Sequence, residues 1–128
     1  MKQIALFALL GMFLTSCQES LEEQAARAQR EFTEKNCPMQ LTSTIILDSC
    51  SFEAESHTMC YYYQLLGEMD NDGNLNTRMM RQMLVERLKN ELSMRVFKEA
   101  GYNFRYQYYS QRHPGQILFE TTITKKDY

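Results

Sequence analysis

Residues 102–110, Tyr-Asn-Phe-Arg-Tyr-Gln-Tyr-Tyr-Ser, set Tyr102, Phe104, Tyr106 and Tyr108 at alternate positions. Side chains two apart leave the same face of a strand, so this segment carries an aromatic face that needs an apolar cover. Gln111 to Gly115 reads as a turn, and residues 116–124 put Ile117, Phe119, Thr121 and Ile123 on one face. The two segments predict a hairpin. A second hairpin is predicted upstream: residues 40–52 are rich in β-branched side chains, residues 58–66 contain Tyr61-Tyr62-Tyr63, and a short polar stretch, Glu53 to His57, separates them.

The cover is predicted between the hairpins. From Thr77 to Ala100, Leu84, Val85, Leu88, Leu92, Val96 and Ala100 recur at helical spacing, with Asn76 or Thr77 as cap and Gly101 as terminator. An earlier helix is predicted over 18–36: Ser20-Leu-Glu-Glu23 fits a capping box, and Pro38 ends it. Its stripe of Leu21, Ala25, Ala28 and Phe32 is narrow, so a spacer and a packed element are equally compatible with it. The fold class expected is α+β: an N-terminal helix, then ββαββ, with an antiparallel sheet of two hairpins packed on one long helix.

A length of 128 residues fits one domain. With 14 Lys+Arg against 16 Asp+Glu, the net charge of −2 gives no footprint for nucleic acid.

The N-terminus reads as an address. Lys2 precedes an apolar run from Ile4 to Leu14, too short for a hydrocarbon core that takes about 20 helical residues to cross but suited to a secretory signal. Leu14-Thr15-Ser16-Cys17 resembles a bacterial lipobox. That resemblance implies a signal peptide over 1–16, acylation (palmitate among the acyl chains) and a new N-terminus at Cys17, a lipidated helical tether over 17–36, and a single α+β domain over 37–128. Several acyl chains on one residue, at about 0.8 kcal/mol per buried CH₂, anchor a soluble domain stably. Gln18 after the cysteine, by likeness to sorting rules, implies the outer membrane. The acidic stretch Gln18 to Glu23 is similar to the signals of surface-exposed lipoproteins in Bacteroidetes. The partner expected at this end is the membrane, reached through the lipid; the domain faces the periplasm or the cell surface.

Such a location permits disulfides. If the first hairpin turns about Glu55, Cys50 lies opposite Cys60, with Cα atoms about 4.5–5.5 Å apart, within disulfide range. A shifted turn, or pairing of Cys37 with either, is the alternative. No Cys-x-x-Cys is present and His57 and His113 lie apart, so no metal site is expected. Glu68 to Leu75 resembles part of an EF-hand loop, with Glu68, Asp70 and Asp72 at its first three ligand positions and Gly73 at its glycine; Met79 stands where the bidentate glutamate belongs, and a polar turn accounts for the rest. Tyr62 and Tyr109 fall at the opposite parity from the other strand tyrosines, which makes them candidates for an exposed surface binding a protein, peptide or glycan. No nucleophile motif or phosphate loop occurs. No cofactor and no catalytic residue are therefore assigned, and the chain is read as a non-enzyme.

From Pro38 onward, Met59-x-Tyr61-x-Tyr63, the long helix, Gly101-x-x-Phe104-x-Tyr106-x-Tyr108 and Thr122-Ile123-Thr124 together resemble small exported proteins of unassigned function, notably from Bacteroidetes. The function expected is a non-enzymatic binding or accessory module on the envelope, with a structural or assembly role in an outer-membrane complex as the alternative.

Overall fold

The alternating aromatic segment forms the strand its pattern predicts. In the computed structural model, which describes residues 19–128, the elements are helix α1 (Leu21–Asn36), strands β1 (Met39–Thr42), β2 (Ile45–Glu53) and β3 (Thr58–Leu65), helices α2 (Thr77–Asn90) and α3 (Arg95–Glu99), and strands β4 (Asn103–Ser110) and β5 (Ile117–Ile123). The segment expected to be a signal peptide, 1–16, and the expected lipidation site Cys17 lie outside the described residues. The chain is α+β with one five-stranded sheet in the order β1-β2-β3-β4-β5.

The sheet is mixed, which corrects the antiparallel expectation. β3 and β4 run parallel, with Tyr61 opposite Tyr106 and Tyr63 opposite Tyr108; the other pairs are antiparallel. A helix of 14 residues carries the chain back about 21 Å. That return runs along the strand just made, so the next strand starts again from the same end of the sheet.

Two further expectations change. Residues 40–52 are not one strand: the chain reverses at Ser43-Thr44, where the Thr44 N–H donates to Thr42 Oγ1 at 3.2 Å, and Met39–Thr42 folds back as an edge strand on β2. The long helix also breaks. Glu91 is extended, and its carboxylate accepts from Ser93 Oγ at 2.8 Å, starting a 3₁₀ turn over Leu92–Met94. Lys98 reaches back to the α2 carboxyl end, its Nζ donating to Leu88 O at 2.6 Å and Lys89 O at 3.2 Å. The break rotates the stripe. Leu84 and Leu88 are buried, but Leu92 is 80% exposed and Phe97 takes the place inside.

Helix α1 is packed rather than a free spacer. Ser20 Oγ accepts from the Glu23 N–H at 3.1 Å, as the capping box predicts. Ala25 and Gln29 are buried. Gln29 Nε2 donates to Ser51 O and Cys60 O at 3.1 and 3.3 Å, supplying a polar partner for each buried amide hydrogen.

The core lies on one face of the sheet. Met59, Tyr63 and Leu65 from β3, Phe104, Tyr106 and Tyr108 from β4, and Leu47 and Cys50 from β2 meet Ala25, Leu84, Leu88 and Phe97 from the helices. At one end Asp70 ties the loop after β3 to the β4–β5 turn. Its buried carboxylate accepts from Ser110 Oγ and from the Arg112 N–H at 2.9 Å. The Ser110 hydroxyl above all, and then Arg112, hold this carboxyl below its ordinary range. A depressed native value stabilises the fold above the unfolded carboxyl's pKa, and that stability is lost as pH falls through the native one. Urea midpoints are therefore expected to fall on acidification below about pH 4, and Asp70→Asn to start lower and show a shallower acid limb; equal slopes in the two proteins would contradict this role.

Candidate functional site

The parallel register of β3 and β4 stacks tyrosines into a floor. Tyr61 lies on Tyr106 with ring centroids 5.0 Å apart, and Tyr63 on Tyr108 at 4.5 Å. This floor is not fully roofed. Helix α1 stands on one side with Gln29 and Phe32, and the end of α2 with the following turn stands on the other with Arg87, Leu88, Glu91 and Met94. Met39 and Leu41 of β1 and Leu47 of β2 extend the floor toward the sheet edge. The result is an open apolar groove of about 390 Å³. Tyr61 OH donates to Met94 Sδ at 3.8 Å across it.

Its electrostatics follow from burial. Desolvation pushes the Tyr61, Tyr63 and Tyr106 hydroxyls well above the ordinary phenol range, and Tyr108 up to about 12. The floor is uncharged at physiological pH, with Arg87 and Glu91 as the charged groups on its margin. Such a groove can bury apolar side chains and offer a few hydrogen bonds. Among the described residues no three His, Cys, Asp or Glu side chains gather as metal ligands, and no helix is long and apolar enough to cross a membrane.

The residues singled out in the sequence lie elsewhere. Cys50 pairs with Tyr61, and Cys60 with Ser51. The register is one residue off the expected one, and a one-residue slip sends a side chain to the other face of the sheet. Cys50 and Cys60 are thus free thiols on opposite faces, which corrects the expected disulfide. Tyr62 and Tyr109 do share the outer face, as their parity predicts, but their hydroxyls are engaged within it. Tyr62 OH lies 3.1 Å from Ser51 Oγ, and Tyr109 OH donates to Gln107 Oε1 at 3.1 Å. Arg105 completes that polar face, bonding Glu53 Oε2 at 3.1 Å and Cys60 Sγ at 3.2 Å. Asp70, read against an EF-hand, spends its carboxylate on Ser110 and Arg112. His57 stacks on Tyr102 at 5.0 Å and meets Glu22 at 2.7 Å, at the opposite end of the β3–β4 pair from the turn that carries His113.

Phe32, Met39, Leu41 and Met94 were not marked by the sequence as site residues. The available signal was Met39-x-Leu41, an alternating apolar pair on a strand too short to be read apart from β2.

Residues 20–119 match the family model described as Domain of unknown function (DUF8479). No curated protein matches the sequence significantly. Three solved structures share the fold. A candidate secreted protein of Pseudomonas aeruginosa aligns with a TM-score of 0.67 at 10% identity, over 86% of this chain and 98% of that one. A pilotin of the Vibrio vulnificus type 2 secretion system aligns at 0.67 and 15% identity, over 84% and 90%. A type II secretion system pilotin of Vibrio cholerae aligns at 0.63 and 17% identity, over 84% and 92%. At such identities the likeness is one of fold.

Proposed function

We propose that this chain, which belongs to the DUF8479 family, is a lipid-anchored, non-enzymatic assembly factor of the outer membrane that holds a partner protein in its tyrosine-floored groove. The groove carries this reading. It is apolar, open at the surface and bounded by a helix on each side, which is the form that accepts the apolar face of an amphipathic helix. The pilotin fold of two structural neighbours supports the assembly role, and Leu14-Thr15-Ser16-Cys17 supports the anchor. Anchored at Cys17, the domain starts α1 only a few residues from the membrane surface, so a partner held in the groove is kept beside the bilayer.

Two measurements test the two halves. Cys17→Ala is expected to move the chain from the outer-membrane fraction to the soluble envelope fraction, because the acyl chains supply the anchoring free energy; unchanged membrane retention would refute the anchor. Affinity purification of the full chain from detergent-solubilised envelopes of its own host is expected to recover one envelope protein in near-stoichiometric amount. Recovery of the chain by itself would count against the assembly role.

A further inference from the structure

The apolar stripe that the sequence carries to Ala100 does not end in the core. Leu92 is 80% exposed and Val96 54%, and Ala100 is exposed at the foot of α3. Spaced four residues apart, they follow the outer side of the 3₁₀ turn and α3, while Phe97 fills the inner side. Cations surround them. Lys89, Arg95 and Lys98 lie along this segment, and Lys125 comes to its foot, with its Cδ 3.6 Å from the position that a Cβ on Gly101 would take. Lys126 follows, exposed like Lys125. The acids among them are engaged: Glu86 pairs with Lys89 at 3.9 Å, Glu99 pairs with Arg95 at 3.0 Å, and Glu91 accepts from Ser93. A chain of net charge −2 thus turns a basic, partly apolar flank outward. The foot of α3 also adjoins the start of α1. Phe97 stacks on Tyr102 at 5.7 Å, Tyr102 on His57 at 5.0 Å, and His57 meets Glu22 at 2.7 Å. Only Gln18, Glu19 and Ser20 separate α1 from Cys17, and the four steps from Cys17 to Leu21 span at most about 14 Å.

We propose that this flank, Leu92 and Val96 with Lys125 and Lys126, lies on the phospholipid bilayer, its lysines on anionic headgroups and its apolar side chains at the edge of the acyl layer. The proposal rests on the anchor proposed above, because a tether this short makes the bilayer the nearest surface to the foot of α3. Helix α1 cannot lengthen that tether, since Ala25 and Gln29 are buried in the fold. Apolar side chains bordered by basic ones suit the bilayer interface: burial of the first and attraction of the second to anionic lipid act together. An anchor by itself leaves a domain free to swivel, whereas a second contact holds it in one orientation. The same turn lends Ser93 and Met94 to the groove, so the groove margin is held next to the bilayer.

The chain has no Trp, so one introduced Trp reports on one position. Leu92→Trp, Val96→Trp and, at the other end of the sheet, Ile117→Trp alter exposed sites, and their thermal melts are expected to match the wild type. Each full chain, purified acylated, is reconstituted into vesicles of phosphatidylethanolamine and phosphatidylglycerol with brominated acyl chains. Emission from positions 92 and 96 is expected to shift to the blue and be quenched by the bromines, and emission from 117 to stay unshifted and unquenched. Lys125→Glu with Lys126→Glu is expected to remove most of the quenching at 92; unchanged quenching would overturn the role of the lysines. No quenching at 92 and 96, or equal quenching at 117, would overturn the surface. So would a blue shift without quenching, which marks a second copy or another protein as the cover. Intact mass reads the anchor separately: an acylated chain without quenching sinks the surface and keeps the anchor. A chain bearing no acyl groups sinks the anchor; added vesicles that still shift and quench position 92 would then keep the surface, and vesicles that do not would sink both.

Discussion

Phe104→Ala is expected to lower the unfolding free energy by about 3–5 kcal/mol, the range for deleting a buried aromatic ring from a close-packed core. Phe104 is 0% exposed. It sits opposite Met59 on β3 and Ile123 on β5, and the Tyr128 ring meets it edge-on at 5.9 Å. Met59 and Ile123 are held by hydrogen-bonded strand backbone, and Tyr128 by its hydroxyl, which lies 2.7 Å from Tyr102 O and 3.2 Å from Lys98 O. The site therefore cannot collapse far to fill the cavity, and the cost falls toward the upper end of the range. Against a total stability of about 5–15 kcal/mol this is a large fraction. Urea unfolding of the two proteins measures it. A loss under about 1 kcal/mol would mean that the central strands are packed otherwise.

Phe32→Glu with Leu41→Glu is expected to weaken partner binding by on the order of 100-fold or more, since each change replaces an apolar anchor by a charge that binding would desolvate. The two residues flank the groove from α1 and β1 and are 38% and 40% exposed. Their partial exposure is what makes the variant informative: surface substitutions of this kind shift stability by about 0.5 kcal/mol or less, so lost binding would not be lost folding. The measurement is the amount of partner recovered with each protein at equal expression, beside a thermal melt. Unchanged recovery would remove the groove from the account.

Much of the architecture was legible because it is periodic. The alternation of Phe104, Tyr106 and Tyr108 predicted β4, and Ser20 with Glu23 predicted the start of α1. What failed was whatever depends on one hydrogen bond or one residue of register. Glu91 accepting from Ser93 broke a helix that its apolar stripe carried through to Ala100. A turn shifted by half a residue moved Cys60 from facing Cys50 to facing Ser51. The direction of β4 was hidden for another reason: a strand's pattern reads the same in both directions, and only the return path of α2 makes the pair parallel. The groove was harder still. Its tyrosine floor was visible as strand residues, but its opening exists because two helices cover the sheet incompletely, a tertiary fact with no local pattern.

The groove, and not the outer sheet face, is the surface proposed to hold the partner. A photo-reactive amino acid placed at Leu41, and separately at Tyr109, addresses the two faces in living cells. One defined cross-linked species is expected from position 41, retained in the outer-membrane fraction, and none from position 109. A defined adduct from position 109 with none from position 41 would contradict it and return the binding surface to the face carrying Tyr62 and Tyr109.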